Sequence, residues 1–238
     1  MVRVVAIIPA RGGSKGLPGK NVRLLHGVPL IVHSIRSALS CAVVDRVVVS
    51  TDHARTAALA LAAGAEVPFT RPVEISGDAS TDFEVFEHAA IALGLDLDDV
   101  IVQLRPTSPL RAEGLIERCI HALRSDPNAS SCRTVSSPPH PPFKMFYDTS
   151  PYLTPLFRRV GDVDEPYNAP RQSLPPVLEP NGCVDVLRVR TLREYRSMTG
   201  PSIAAVRMEH GNAVDIDSLE DFVAAERKLN ESSKHAAA

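Results

Sequence analysis

The fold is decided by residues 4–21, VVAIIPARGGSKGLPGKN, in which an apolar run is followed directly by a glycine-rich, cationic loop. The run Val4–Ile8 is typical of a buried strand. The loop behind it holds three cations, Arg11, Lys15 and Lys20, among four glycines. A loop after the first strand of an α/β sheet lies at the carboxyl edge, where ligands commonly bind. The stretch therefore predicts an α/β protein with an anion site at this edge.

The rest of the chain alternates short β-branched runs with helical patterns, which predicts three layers: a mostly parallel sheet covered by helices on both faces. Strands are predicted near residues 2–8, 46–50, 66–69, 100–104, 131–135, 183–189 and 203–207. Between them, Thr81 and Glu84 have the spacing of a capping box at the start of a helix that should end at Gly94. Each predicted helix has one apolar face to bury against the sheet.

The composition limits the class of protein. The 238 residues suit one domain, predicted over residues 1–231 with a frayed tail at 232–238. Lysine and arginine total 26 against 28 aspartates and glutamates, which argues against nucleic-acid binding. No apolar run approaches the roughly 20 residues of a membrane span. The four cysteines have no short paired spacing, which argues against a zinc site or a disulfide framework and indicates a reducing cytoplasm.

Residues 136–180 interrupt the alternation of strand and helix patterns, because the many prolines in this stretch cannot lie in the interior of a helix. Two interpretations are open: a flexible linker, or an irregular excursion of the same domain that contacts a partner subunit. The excursion is favoured because a solvated linker carries few apolar side chains. This stretch contains Phe143, Met145, Phe146, Tyr147, Tyr152, Leu153, Leu156 and Phe157. We therefore expect a homodimer formed through the excursion.

The glycine-rich loop has the composition of a polyphosphate site. Its glycines, among them Gly12 and Gly13, allow backbone N–H groups to approach an anion, while Arg11 and Lys15 add charge-assisted contacts. The string RGGSKG fits neither the G-x-x-x-x-G-K-[ST] phosphate loop nor the G-x-G-x-x-G dinucleotide motif. The alternative is a solvated turn with incidental charge, which is acceptable for any one of these residues but not for the whole string.

The stretch IIPARGGSKGLPGKN resembles the amino-terminal signature of the CMP-N-acylneuraminate synthetases, cytidylyltransferases that activate sialic-acid-like nonulosonic acids. The resemblance continues in order through VSTD (49–52), RPVEISGDAST (71–81), RPTSPLR (105–111), FK (143–144), RQSLPPV (171–177), NG (181–182) and VDIDSLEDF (214–222). It thus spans nearly the whole chain. The related cytidylyltransferases for Kdo and of the isoprenoid pathway usually carry a different or shorter loop and fit less well.

The resemblance implies a nucleotide-diphospho-sugar-transferase-like, Rossmann-like fold and the transfer of CMP from CTP to a sugar acid with release of pyrophosphate. It implies a nucleotide site formed by Arg11, Gly12, Gly13, Ser14, Lys15, Asn21, Arg71 and Ser80. It places Lys144 and Arg171 where the family has cations that meet the carboxylate of the sugar acid. The candidate sugar-acid site also includes Gln103, Arg105, Thr107, Ser108, Gln172 and Asp185. Two alternatives stay open: Gln103 faces either the core or the site, and TSP, which holds Thr107 and Ser108, is also an ordinary turn. This chemistry needs positioning and charge neutralisation more than a covalent nucleophile, so the expected catalytic residues are Arg11, Lys15 and Asp215.

Asp215 and Asp217 alternate in the segment VDID, so both carboxylates point to one face of an extended chain and can share a hard cation. The alternative is that these acids cap the following helix, a role that suits Asp217 in front of SLEDF. The resemblance places the carboxylates that hold a catalytic Mg²⁺, or Mn²⁺ in its place, at these two positions.

Two residues depart from the family pattern near the expected sugar site. Arg105 stands where many sialate-activating members have glutamine, and Asp185 stands where they more often have a hydroxylated aromatic or apolar residue. An isolated buried charge costs far more free energy than a paired one, so we expect Arg105 and Asp185 to form an ion pair. A charged wall of this kind predicts that N-acetylneuraminate is a poor substrate.

Three hypotheses follow for the function. The first is a cytidylyltransferase for a nonulosonic or similar sugar acid. The second is a nucleotidyltransferase of the same fold with another acceptor, such as a Kdo-like acid or a phosphonate. The third is a catalytically idle nucleotide-binding protein, against which the intact Arg11, Lys15, Asp215 and Asp217 argue.

Overall fold

A computed structural model describes residues 2–209 and 214–236 of the chain. The strands in chain order are β1 (Val4–Pro9), β2 (Leu24–Leu25), β3 (Val28–Pro29), β4 (Arg46–Ser50), β5 (Val100–Gln103), β6 (Ser131–Ser136), β7 (Phe146–Thr149), β8 (Tyr152–Pro155), β9 (Arg159–Val160), β10 (Val163–Asp164), β11 (Glu179–Arg188) and β12 (Ile203–Arg207). The helices are α1 (Leu30–Leu39), α2 (Ala54–Ala62), α3 (Asp82–Ala92), α4 (Leu115–Ser125), α5 (Val189–Tyr195) and α6 (Leu219–Ala236).

The central sheet has the strand order β12-β6-β11-β5-β1-β4 within the described residues. The pairs β1–β4, β1–β5 and β6–β12 are parallel, whereas β11 is antiparallel to both of its neighbours. The chain leaves β6 at the carboxyl edge, passes through the proline-rich excursion and re-enters the sheet from the same edge as β11. A strand that enters from this edge must run in the opposite direction.

The sheet is buried on both faces, as the apolar run in β1 predicts. Val4, Ala6 and Ile8 belong to a core shared with α1, α2 and α4, and Val5 and Ile7 belong to a second core shared with α3 and α5. Successive residues of a strand point to opposite faces, so one apolar run serves both cores. The predicted three-layer α/β fold with a mostly parallel sheet is therefore confirmed.

The strand predicted at residues 66–69 is wrong. Glu66 forms only an isolated bridge with Val48, and no ladder continues from it. Pro68 has no backbone N–H, so the segment cannot extend a ladder past this position. The other six strands of the prediction form the central sheet, with ends that differ by a few residues.

Helix α6 extends from Leu219 to Ala236 and thus includes residues 232–236 of the predicted tail. Residues 237 and 238 lie outside the described part. Over residues 2–209 and 214–236, none of the helices combines the length and apolar character that a membrane span requires.

The excursion at residues 136–180 contains two small hairpins, β7–β8 and β9–β10. Part of it is packed: Phe143 is buried and meets the Phe157 ring edge-on at 5.4 Å between centroids. The β7–β8 hairpin is different, because Tyr152 and Leu153 are 77% and 66% exposed. The excursion thus holds itself together through a few contacts and leaves an apolar hairpin in solvent.

Candidate active site

A cleft of about 490 Å³ opens at the carboxyl ends of β1 and β5. Four parts of the chain line it: the loop after β1, the segment from Arg71 to Asp82 with Val85 of α3, the turn after β5 from Arg105 to Thr107, and Asp217 before α6. The crossover connections of parallel strands bring these parts together at one edge. The cleft therefore occupies the edge predicted for the anion site.

Arg11 and Lys15 converge on one carboxylate in this cleft. The guanidinium Nη2 of Arg11 lies 2.7 Å from Asp78 Oδ1, and the ammonium of Lys15 contacts the other oxygen of Asp78. The hydrogen bond from Lys15, assisted by the one from Arg11, lowers the pKa of Asp78 below its usual value. Two cations of one glycine-rich loop can thus bind a single anion together.

Two hydrogen bonds hold this loop in place. The backbone N–H of Gly12 donates to Asp52 Oδ1 at 2.8 Å, and the Asn21 side-chain amide donates to the Arg11 carbonyl at 3.0 Å. Asn21 is buried beneath the loop and also lines the cleft, as does Ser14. Gly12 and Gly13 belong to the same loop but lie outside the set of described residues that line the cleft. Asn21 therefore orders the backbone that carries Arg11.

Arg71 forms part of the cleft wall as a buried cation. Its guanidinium donates to the Ser50 carbonyl at 2.6 Å and to the Ser50 hydroxyl at 3.1 Å. Burial lowers the pKa of Arg71 to about 10, which leaves the side chain charged at neutral pH. Nearby, Ser80 Oγ accepts from the Gly77 N–H at 3.0 Å and fixes the turn that carries Asp78. The structure thus brings both Arg71 and Ser80 to the cleft.

Asp217 is fixed against the loop after β1. Lys20 Nζ donates to Asp217 Oδ1 and to the Ile216 carbonyl, both at 2.8 Å, and Gly16 packs against the Asp217 carbonyl. Asp215 and Asp217 are exposed, and Ile216 between them is buried. Asp215, however, lies outside the set of described residues that line the cleft. The described residues contain no cluster of three or more His, Cys, Asp or Glu side chains able to hold a metal ion.

The alternative role of Asp217 as a helix cap is not the one observed. Helix α6 is capped by Ser218, whose hydroxyl accepts from the Asp221 N–H at 3.1 Å, while Asp221 Oδ2 accepts from the Ser218 N–H at 2.8 Å. This reciprocal pair satisfies two of the free N–H groups at the start of the helix. The Asp217 carboxylate instead faces Lys20 and the cleft.

The ion pair predicted between Arg105 and Asp185 is present at the other end of the cleft. Arg105 Nη1 lies 2.9 Å from Asp185 Oδ2, and Arg105 Nη2 lies 2.8 Å from Asp82 Oδ2. Asp82 also accepts from Gln103 Nε2 at 2.9 Å, and Asp185 accepts two hydrogen bonds from Arg133. Burial by itself would raise the pKa of Asp185, but the hydrogen bonds and charges of Arg133 and Arg105 lower it.

Thr107 and Ser108 follow Arg105 in the turn after β5. Thr107 lines the cleft, and its carbonyl accepts from the Ile216 N–H at 2.8 Å. Ser108 is fully buried behind the cleft, and its hydroxyl has no hydrogen-bond partner among the described residues. Thr107 is thus at the surface of the site and Ser108 is beneath it.

Three predicted sugar-acid residues are not brought to this cleft within one chain. Lys144 Nζ donates to the Ala169 carbonyl at 2.6 Å, inside the excursion. Arg171 and Gln172 line a separate cavity of about 270 Å³, where Arg171 donates to the carbonyls of Pro138 and Pro139. Lys144 and Arg171 therefore donate to backbone carbonyls of the excursion itself.

A family model for cytidylyltransferases matches residues 5–175, which include the loop, Arg71, Asp78 and Arg105. The chain belongs to the cytidylyltransferase family. The resemblance drawn from the loop after β1 is therefore confirmed at the level of this family.

Two relatives of this chain have names that specify a sugar acid. A CMP-N,N'-diacetyllegionaminic acid synthase from Legionella pneumophila is 42% identical over 125 residues, which cover 50% of this chain and 52% of that protein. An N-acylneuraminate cytidylyltransferase from Streptococcus agalactiae is 30% identical over 226 residues, which cover 93% of this chain and 52% of that protein. The chain thus spans about half the length of each relative.

A solved structure shares the fold of this chain. A CMP:2-keto-3-deoxy-manno-octonic acid synthetase in complex with CTP superimposes with a TM-score of 0.71 at 18% sequence identity, covering 97% of this chain and 99% of that one. At this identity the likeness shows that the two chains share a fold.

Three residues of the candidate site were missed from the sequence: Asp78, Asp82 and Arg133. Asp78 and Asp82 lie in the quoted RPVEISGDAST motif or directly after it, so their proximity to the cleft could have been inferred from the motif. Arg133 lies on β6 with no motif around it, and only the pairing of β6 with β11 brings it to Asp185.

Proposed function

We propose that this protein joins CMP from CTP to the anomeric hydroxyl of a sialic-acid-like sugar acid and releases pyrophosphate. The observation that carries the proposal is the convergence of Arg11 and Lys15 on one carboxylate in the cleft. A site that holds a carboxylate between two cations is built to hold a phosphate oxygen in the same place. Its position at the carboxyl edge of β1 is the position that nucleotides take in α/β folds.

The residues of the cleft have different roles in the proposed reaction, according to where they lie. Arg11 and Lys15 hold the triphosphate and neutralise the charge that develops as pyrophosphate leaves. Arg71, Asn21 and Ser80 form the part of the cleft that takes the rest of the nucleotide. The acceptor occupies the Arg105 end, from which its hydroxyl oxygen bonds to the α-phosphorus while the bond from that phosphorus to pyrophosphate breaks. The hydroxyl proton passes to solvent.

A divalent cation fits the donor set beside the loop. Asp217 Oδ1 is held by Lys20, and Asp217 Oδ2 has no hydrogen-bond partner among the described residues. Magnesium is commonly bound by one or two carboxylates together with substrate phosphates, so Asp217 and Asp215 suffice as protein ligands. When bound there, Mg²⁺ or Mn²⁺ supplies positive charge to the phosphate oxygens. Lys20 and Gly16 keep the Asp217 segment next to the triphosphate loop.

A homodimer and a cytoplasmic location belong to the same proposal. The exposed β7–β8 hairpin supplies an apolar surface for a partner. Lys144, Arg171 and Gln172 lie in the same excursion, away from the cleft of their own chain, which suits a dimer in which the excursion of one subunit completes the acceptor site of the other. The four buried cysteine thiols agree with the cytoplasm.

The proposal is tested by pyrophosphate release with each of the four ribonucleoside triphosphates against a panel of sugar acids and phosphonates. We expect release with CTP and a nonulosonic acid, and a fall in kcat/KM on the order of 100-fold in Arg11→Met and Lys15→Met. Arg46→Met is the control, because Arg46 forms an ion pair with Glu66 at the start of β4, away from the cleft. No release with CTP and any acid, or equal use of all four nucleotides, would refute the proposal.

A further inference from the structure

Two of the cations that line the cleft share one exposed carboxylate as their partner. The side chains of Arg11 and Lys15 both contact Asp78, and neither has another ion-pair or hydrogen-bond partner within the described residues. The side chains of Asp78 and Lys15 are 43% and 82% exposed. Ion pairs between exposed side chains contribute little to stability. Asp78 is therefore held by contacts that another anion can replace.

Asp185 at the other end of the cleft is held differently. Its side chain is 7% exposed, and it accepts hydrogen bonds from Arg105 and Arg133. A buried carboxylate of this kind is costly to remove, because its partners lose the charge that compensates them. Asp78 carries no such cost, since water and ions can reach its position.

Asp78 lies on a segment, residues 72–80, whose own hydrogen bonds are local. Its ends are anchored at Arg71, which hydrogen-bonds to β4, and at the capping box of α3. Between these anchors the described hydrogen bonds join residues of the segment to one another, such as the Gly77 N–H to Ser80 Oγ at 3.0 Å. The carboxylate can therefore leave the loop after β1 without breaking a hydrogen bond of any helix or strand.

The Asp78 carboxylate meets the two cations as a phosphate group would, with one oxygen on Arg11 and the other on Lys15. A phosphate group offers oxygens at a similar spacing and carries more charge. The two anions cannot share the place, because like charges in contact repel each other. Binding of a polyphosphate between Arg11 and Lys15 therefore requires that Asp78 move away.

We propose that Asp78 is an internal competitor of the triphosphate, a carboxylate that binds Arg11 and Lys15 in the free protein and leaves them when a polyphosphate binds. The competition rests on the proposed function, because it concerns the site assigned to the triphosphate. Asp78 thereby weakens the binding of CTP before the reaction and of pyrophosphate after it. When pyrophosphate dissociates, the returning carboxylate restores the ion pairs of the free protein.

The first test is a calorimetric titration of inorganic pyrophosphate, without Mg²⁺ or nucleotide, into the wild type and Asp78→Asn. Asparagine keeps the size of the side chain and removes its charge. Because occupancy by Asp78 lowers the fraction of protein able to bind, we expect the Kd to be at least about threefold lower in Asp78→Asn. Glu74→Gln is the matched control, since Glu74 is an exposed carboxylate of the same segment that has no ion pair within the described residues. Its Kd should equal that of the wild type.

A Kd in Asp78→Asn equal to or above that of the wild type would overturn the competition and leave the proposed function standing. The same holds if Glu74→Gln lowers the Kd as much as Asp78→Asn does, because the cause would then be net charge alone. Absence of pyrophosphate binding to both the wild type and Asp78→Asn would remove the polyphosphate site, and with it the proposed function.

The second test separates direct competition from repulsion at a distance. In Lys15→Met the Asp78 carboxylate keeps only one of its two cations, so the fold-change in Kd caused by Asp78→Asn should be smaller than in the wild type. Repulsion by an Asp78 charge that does not occupy the site would give the same fold-change in both backgrounds, since independent effects add. Equal fold-changes would therefore reject the competition.

Hydrogen exchange is the readout if Lys15→Met binds pyrophosphate too weakly for a Kd. Pyrophosphate should speed the exchange of backbone amides in residues 72–80 of the wild type, because the segment loses its ion pairs with the loop. In Asp78→Asn this exchange should be fast without pyrophosphate and unchanged by it. Unchanged or slower exchange in the wild type would show that Asp78 stays in place and would reject the competition.

Discussion

Replacing Gly16 by alanine tests whether the loop after β1 and the Asp217 segment are held together as one unit. A Cβ atom added to Gly16 would lie 2.5 Å from the carbonyl oxygen of Asp217. Lys20 binds the same segment through Asp217 Oδ1 and the Ile216 carbonyl, both at 2.8 Å. The alanine methyl would therefore enter the junction that keeps a proposed metal ligand beside the triphosphate loop.

The effect of Gly16→Ala on stability and activity follows from the 2.5 Å between the added Cβ atom and the Asp217 carbonyl oxygen. Non-bonded carbon and oxygen atoms need about 3.4 Å, so the two backbones must separate by about 1 Å. Gly16 does not have a left-handed backbone conformation, and a glycine-to-alanine change without a clash would stabilise the fold by roughly 0.4–1 kcal/mol. With the clash, we expect a loss of about 1–3 kcal/mol in the free energy of unfolding. A displacement of about 1 Å at a reacting centre should lower kcat/KM on the order of 100-fold.

Urea denaturation and pyrophosphate release at a series of Mg²⁺ concentrations measure the two effects. Gly13→Ala is the matched control for stability, because Gly13 lies in the same loop and a Cβ atom there meets nothing within 4 Å. Gly13→Ala should be as stable as the wild type or slightly more stable. If Gly16→Ala is likewise no less stable and keeps its kcat/KM at limiting Mg²⁺, the junction has no role in the site and the reasoning is refuted.

Three further predictions concern other parts of the molecule. Asp185→Asn should lower the free energy of unfolding by about 3 kcal/mol at pH 7, since it leaves two arginines without their buried carboxylate. The folded-state pKa of Asp185 is lowered, so the stabilisation by its carboxylate is present above the unfolded pKa of about 3.9 and is lost as the pH falls through the folded pKa. Urea denaturation curves of the variant and the wild type that stay equally far apart below about pH 4 would contradict this. Asp215→Ala and Asp217→Ala should each reduce pyrophosphate release on the order of 100-fold at limiting Mg²⁺, and near-wild-type rates in both would remove the metal assignment. Leu153→Asp on the β7–β8 hairpin should convert a dimer into a monomer in light scattering, and a wild-type protein that is monomeric and fully active at micromolar concentration would exclude the dimer.

The fold was predictable from the sequence where the signal is local. Every residue from Val4 to Ile8 is buried, because a β-branched run of this length can serve two apolar cores at once. The segment 66–69 has similar residue types, but Pro68 interrupts its hydrogen bonding and it does not form a strand. The direction of β11 was not predictable, because it depends on the edge at which the excursion returns to the sheet. No residue within β11 encodes that direction.

The candidate site was likewise predictable only for the residues that occur in sequence motifs. Arg11, Lys15 and Arg71 could be placed from the motifs in which they occur, and the structure brings all three to one cleft. Asp78 was missed because a carboxylate between two cations is not expected where a phosphate should bind. Lys144 and Arg171 were expected near the acceptor, but their own chain holds them inside the excursion. Whether a second subunit brings them to the cleft depends on contacts between chains, which no pattern within one chain specifies.

The ion pair of Arg105 and Asp185 could be predicted from the sequence, because a buried charge needs a partner of opposite charge. Two opposite charges appear where the family pattern has none, and each would be costly if left alone in a partly enclosed site, so their meeting follows from desolvation without knowledge of the fold. The number of partners does not follow. Asp185 has two oxygens and needs more hydrogen bonds than Arg105 alone provides, and Arg133 supplies two of them from a strand that the sequence does not connect with the site. Exchanging Arg105 and Asp185 together for the residues of the family pattern would therefore leave Arg133 without its carboxylate. The double change should recover only part of what each single change loses.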